Sequence, residues 1–316
     1  MTTNPLLRHR LRDKARTLLA PTLGSAAENS YGFHLAAQIS LDDLRDMLDG
    51  IDVEKPDALL EKRFVEVAKD FEHYVQEGLQ KFSLNEHLLA LEAEYRNLVH
   101  QRAAAEGALR RAFNANPRQD WIAVRLARTL ENAGKPEEAR QVLLRCLQDN
   151  PASKLAHFEM AQFYMRYPKD RETEQDLILD HLRRSFTAGD RNYDAQFWYA
   201  RQAFLSGKFA EATAGFKALR DARVPAGLMN QVRGIITDGT ERSGVYVGEV
   251  AAIEPGYMFV RSPEFSERVF VHWSKAAEGD WDNFRRGDRV AFTVGFNMRG
   301  PTAASIRRLE SAPASG

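Results

Sequence analysis

Asn116-Pro117 recurs 34 residues later as Asn150-Pro151, and a fixed interval of that length leaves few folds open. A unit so short cannot bury an apolar side alone, so copies of it must stack on one another. The interval reads as two helices. Leu126, Ala127 and Leu130 fall at helical spacing, Gly134-Lys135-Pro136 stops that helix, and Ala139, Leu143, Cys146 and Leu147 form a second apolar face before Pro151 ends the unit. Small Ala139 stands where two helices must approach closely.

Further copies flank this one. Downstream come His157, Met160, Ala161 and Tyr164, a long turn over 168–174, then Leu182, Ser185 and Phe186. A third copy has Tyr199, Ala200 and Ala203, the turn Gly207-Lys208-Phe209, then Ala212, Phe216 and Leu219, while Ala93, Ala105, Leu109, Ala112 and Phe113 fit a more degenerate copy upstream. This order of small and large positions resembles the tetratricopeptide family. The resemblance implies an all-α solenoid over 86–237, ended by a capping helix over 225–237, whose first helices line a groove for a protein or peptide partner. In that register the groove displays Trp121, Val124, Arg128 and Asn132, then Phe158, Gln162 and Arg166, then Phe197 and Arg201, a mixture suited to a peptide carrying acidic groups. A shift of one residue instead packs Phe158 and Phe197 between repeats.

The N-terminal part carries no family pattern. Residues 1–30 read as a basic arm and a joint: Arg8, His9, Arg10, Arg12, Lys14 and Arg16 surround Leu6, Leu7, Leu11 and Leu18, the pattern of an amphipathic helix for phosphate, a membrane surface or a partner, or of a solvated terminus. Over 31–85, Leu41, Leu44, Met47 and Leu48 make one helical stripe and Phe64, Val67, Ala68, Phe71 and Tyr74 another, extending or capping the array. Ser83 with Glu86 three residues later reads as a capping box.

Beyond a linker at 238–243 the period changes to two. Segments 245–253, 257–261, 269–273, 290–295 and 302–307 alternate as five short strands between Gly, Pro and charged turns. Five strands in this compass fit a small all-β OB barrel over 244–310, followed by a tail at 311–316. Pro255-Gly256-Tyr257-Met258-Phe259-Val260 and Val269-Phe270-Val271-His272-Trp273, followed by Gly287, Val290 and Phe292 and by Arg299-Gly300-Pro301-Thr302-Ala303, resemble the ordered motifs of cold-shock domains. The resemblance implies single-stranded nucleic acid as ligand, RNA ahead of DNA, with Tyr257, Phe259, Phe270, His272 and Trp273 stacking on bases, Arg261, Lys275 and Arg299 meeting phosphates, and Trp281 as a loop aromatic. The chain departs from the pattern at Ala252-Ile253, where the family has a Trp-Phe pair, and at Pro255, where it has Lys.

Composition narrows the function classes. The 44 basic residues equal the 44 acidic ones, so nucleic-acid binding requires a local arrangement of charge. One cysteine, Cys146, excludes an internal disulfide framework and a cysteine-built zinc site, and fits a cytoplasmic protein. No apolar run approaches a bilayer span. Gly134-Lys135 and Gly207-Lys208 lack the phosphate-loop frame and no His-Glu-x-x-His occurs, so no catalytic residue, metal or cofactor is assigned. The expected role is a non-catalytic adaptor that joins nucleic acid to a protein partner. Its alternative is a protein scaffold or regulatory subunit of a larger complex, such as a sensor for a separate catalytic chain, whose barrel binds no nucleic acid.

Overall fold

The computed structural model describes residues 5–23, 29–49, 58–169, 171–237, 243–265, 268–277 and 279–309. The chain divides into two compact units, 1–160 and 161–316. The division falls inside a repeat helix rather than at the 238–243 joint, of which 238–242 lie outside the described residues.

The first unit contains α1 (Pro5–Leu19), α2 (Tyr31–Asp49), α3 (Ala58–Lys81), α4 (Glu86–Leu98), α5 (Arg102–Ala115), α6 (Asp120–Asn132), α7 (Pro136–Asp149) and the start of α8 (Lys154–Arg166). On α2 the buried residues Phe33, Ala37, Leu41 and Leu44 recur every three or four positions. Leu41 and Leu44 share a core with Phe71 and Val75 of α3 and with Leu91 and Tyr95 of α4, where the Phe71 and Tyr95 rings lie 4.6 Å apart. Leu48, expected on the α2 stripe, is on the exposed side.

The basic face of α1 is turned inward. Arg12 lies 2.7 Å from Asp43 and 2.8 Å from Asp46, Arg8 lies 3.4 Å from Asp46, and Arg16 pairs with Asp43. Asp43 is buried on α2, so these arginines neutralise a carboxylate that would otherwise be costly to enclose. Three cations of α1 thus serve the neighbouring helix, while Arg10 and Lys14 stay exposed. The cap of α4 is corrected. Asn85, not Ser83, accepts the Leu88 amide at 2.9 Å through its side-chain oxygen, while Ser83 lies in the preceding turn.

The 34-residue interval governs the helix starts: α4, α6 and α8 begin at 86, 120 and 154, and α5 and α7 at 102 and 136. The degenerate copy is therefore a regular helix pair in register with the rest. Two of the turns use one device. After α6, Gly134 at φ 73° lets the Lys135 amide donate back to the Leu130 carbonyl at 2.8 Å, and Gly207 at φ 70° does the same for Lys208 and Ala203.

The second unit continues with α9 (Arg171–Arg184), α10 (Tyr193–Leu205), α11 (Phe209–Asp221) and a single turn, α12 (Ala226–Met229). The expected capping helix over 225–237 stops there. Val232, Ile235, Ile236 and Thr237 favour extension, and the chain runs along a barrel strand instead: Arg233 and Phe296 exchange two amide-to-carbonyl bonds of 2.8 Å, and the Ile236 amide donates to Val294 at 2.9 Å.

The barrel comprises β1 (Val245–Glu254), β2 (Tyr257–Arg261), β3 (Val269–His272), β4 (Arg289–Asn297) and β5 (Gly300–Arg308), closed in the order β1-β2-β3-β5-β4, with β3 and β5 parallel and the other neighbours antiparallel. Inward Met258, Val260, Val269 and Val271 are fully buried, as strand alternation requires. β4 does not alternate and is buried along nearly its whole length. One face fills the barrel, and the other is covered by the 230–237 segment and by α10 and α11. Phe296 lies 5.4 Å from Phe204 of α10 and stacks at 6.1 Å on Phe216 of α11, so these helices and the barrel share one core.

Candidate nucleic-acid interface

Alternation on β2 and β3 sends Tyr257, Phe259 and Arg261, and Phe270 and His272, to the outer face. Register sets Tyr257 opposite His272 and Phe259 opposite Phe270. The rings form a continuous cluster. Tyr257 stacks on Phe270 at 5.6 Å, and Phe259 meets Phe270 edge-on at 5.9 Å and Tyr257 at 5.8 Å. Tyr257 is exposed and Phe259 and Phe270 are half-buried, so the cluster leaves aromatic surface on which a base can stack.

Beside this platform lies a cleft of about 630 Å³, lined by Phe259, Phe270, His272, Ser274, Lys275, Arg299 and Thr302 of the barrel, and by Arg220, Asn230 and Val232 of the preceding helical segment. His272 caps the 3-10 turn Trp273–Lys275, its Nδ1 lying 2.9 Å from the Ser274 hydroxyl, which fixes the ring at the platform edge. Arg220 donates at 2.7 Å to the Arg299 carbonyl and so anchors the β4–β5 turn. Thr302 donates to the Phe270 carbonyl at 3.1 Å. Among the described residues neither Lys275 nor the Arg299 guanidinium is engaged in an ion pair, so both cations remain available to an anion.

The expected barrel residues divide accordingly. Phe259, Phe270, His272, Lys275 and Arg299 converge on the cleft, with Tyr257 stacked behind them. Trp273 is 54% exposed and adjoins His272 at 5.6 Å, in the 3-10 turn rather than in β3. Trp281 packs on Phe284 at 6.2 Å, outside the cleft. Arg261 opens onto a different cleft. Arg220, Asn230 and Val232 had no signal in the sequence, because only the fold brings α11 and the connector beside β4 and β5.

The expected groove residues fare less evenly. In the first unit Trp121 is half-buried and stacks on His87 at 5.3 Å, Asn132 is exposed, Phe158 is half-buried, and exposed Arg128 pairs at 2.6 Å with the enclosed carboxylate of Glu159. In the second, Arg166 is exposed and the Gln162 side-chain nitrogen is buried. Phe197 and Arg201 require correction as partner-binding residues. Phe197 is fully buried, 5.4 Å from Trp198 and beneath the Arg233 guanidinium at 4.2 Å. Arg201 donates at 2.7 Å to the Gly234 carbonyl and lies over Trp198 and Phe296, and burial pushes its guanidinium down to about 10. The extended connector occupies the side of α10 that a groove would have shown. Cys146 is buried, and burial raises its thiol to about 11, which suits packing and not nucleophilic attack.

Paired helices followed by a closed five-stranded barrel with an aromatic platform define the chain as a helical-repeat protein carrying an OB-type domain. Residues 246–309 match the "Cold-shock" DNA-binding domain and residues 120–163 match the tetratricopeptide repeat, both domains of non-catalytic kinds. No curated protein matches the chain. Among solved structures it is similar to pilF of Pseudomonas aeruginosa (14% identity, 68% of this chain and 86% of that chain, TM-score 0.47) and to YrrB, a TPR protein with an unusual peptide-binding site (12%, 64% and 91%, 0.38). A MamA structure aligns at 15% identity over 59% of this chain and 98% of its own, with TM-score 0.38. Among the described residues no helix is long and apolar enough to cross a membrane.

Proposed function

We propose that this chain is a non-catalytic, cytoplasmic adaptor that binds single-stranded nucleic acid on the β2–β3 platform and a protein partner through its helical repeats. The observation that carries the nucleic-acid half is the juxtaposition of Tyr257, Phe259, Phe270 and His272 on one outer face with Lys275 and Arg299 at its margin. Stacking is tolerant of sequence, because every base has a π-face. The flanking cations supply the salt-dependent attraction to phosphate that the balanced net charge does not. Ser274 and Asn230 line the same cleft and give a ribose 2′-hydroxyl polar neighbours, which favours RNA over DNA. The partner half rests on the repeat matched at 120–163 and on the exposed Arg128 and Asn132 of α6.

The test uses the full chain, since the barrel shares its core with α10 and α11. A labelled pyrimidine-rich RNA strand, the DNA strand of the same sequence and the corresponding duplex are titrated against wild type and against Phe259→Ala/Phe270→Ala/His272→Ala. Each lost stack removes about 1–3 kcal/mol, so single-strand affinity should fall roughly a hundredfold or more. Inward Val260, Val269 and Val271 are untouched, and the barrel should persist. Wild type should prefer single strand to duplex. Equal affinity of a folded triple variant and wild type would overturn the platform and leave a protein scaffold as the function.

A further inference from the structure

A second cleft of about 540 Å³ opens on the barrel where β1 passes between β2 and β4. Four arginines from three stretches of chain line it: Arg261 at the end of β2, Arg268 just before β3, and Arg286 and Arg289 at the approach to β4. All four are exposed. Among the described residues none of their guanidiniums has an ion-pair partner, and Glu249 is the one carboxylate in the lining. The sheet register explains the cluster. Glu249 of β1 stands opposite Arg261 on one side and Arg289 on the other, so the two arginines flank it across three adjacent strands. Gathering four like charges around one carboxylate is unfavourable in the free protein, and an anion relieves it.

We propose that this cleft holds the phosphodiester backbone of the strand whose bases stack on the platform, extending the binding site around the barrel. The inference rests on the platform reading. Its geometric support is β2 itself: Tyr257, Phe259 and Arg261 occupy alternate positions on one outer face, so Arg261 is the next outward side chain after the aromatic pair. Alternate residues advance by about 6.7 Å along a strand, enough to pass from a stacked base to a neighbouring phosphate. Planar guanidiniums suit phosphate oxygens, which they bind two at a time.

The experiment compares two lengths of pyrimidine RNA on the full chain, about four nucleotides to cover the platform and about twelve to reach beyond it. Wild type should bind the longer strand more tightly. Arg286→Glu/Arg289→Glu should lose about tenfold or more on the longer strand, with a salt slope lower by about 1.4, and keep wild-type affinity for the shorter. Arg286→Gln/Arg289→Gln should give the same pattern in weaker form, and decides the matter where the glutamate pair does not fold. The same charge change at exposed Arg118 and Arg191 should leave both strands unaffected. A folded cleft variant equal to wild type on both lengths overturns the cleft and spares the platform, as does a control that loses as much as the cleft variant. Wild type that binds neither length overturns the platform, and the cleft proposal with it.

Discussion

Arg128 illustrates how a side chain that is mostly exposed can still carry structure. Its partner Glu159 is enclosed to 1% exposure of the side chain. Arg128→Glu therefore sets two carboxylates against each other, and we expect a loss of about 1–3 kcal/mol in urea denaturation, with Arg128→Gln losing less because it can still donate. Equal stability of the glutamate variant and wild type would show that the pair contributes nothing. Cys146 makes a prediction of another kind. Its folded thiol is raised from 9.0 to about 11, so in that interval the native state holds a proton that the unfolded state has released. The contribution to stability is complete below the lower value and is lost as pH rises through the upper one. Cys146→Ala should remove that alkaline decline from a series of denaturation curves, and native wild type should resist alkylation that the unfolded chain undergoes readily. Phe197 and Arg201 mark the limit of reading residues singly: helical spacing identified both as side chains of α10, but the Arg233 guanidinium and the Gly234 carbonyl set against them lie more than thirty positions away.

At the scale of elements, the strongest signals were periodic. Asn-Pro pairs, Gly-containing turns and small alanines located the repeats, and strict alternation located β2 and β3 with the faces the structure gives them. The same reasoning failed where two elements cover each other. β4 is buried on both sides, so its pattern carries no platform information, and the 230–237 segment, extended as its β-branched residues favour, pairs with a strand that its own sequence does not indicate. Partner identity is encoded by contacts distant in sequence, which one chain read alone does not display. One consequence is testable. Removing 238–316 at the apparent linker would uncover Phe204 and Phe216, both buried against Phe296. We expect the truncated chain to aggregate or to bind a hydrophobic dye, whereas a chain ending after α11 with Phe204→Lys and Phe216→Lys should regain solubility. A soluble, dye-silent truncation without those changes would show that the shared core is dispensable.

For the whole molecule, the division into 1–160 and 161–316 separates two kinds of order. Contacts in the first unit run mainly between successive helices, as in α2 with α3 and α4 with α5, and such local arrangements form early and quickly. The second unit is different, since its core gathers residues from Leu179 to Ile306. β5 closes the ring between β3 and β4 and is the last barrel strand in chain order. During synthesis, then, α10 and α11 emerge well before the surface that covers Phe204 and Phe216 exists, and β3 and β4 wait with open edges for β5. This interval, with apolar side chains and strand edges unsatisfied together, is when the nascent chain is most exposed to misassembly and to capture by chaperones.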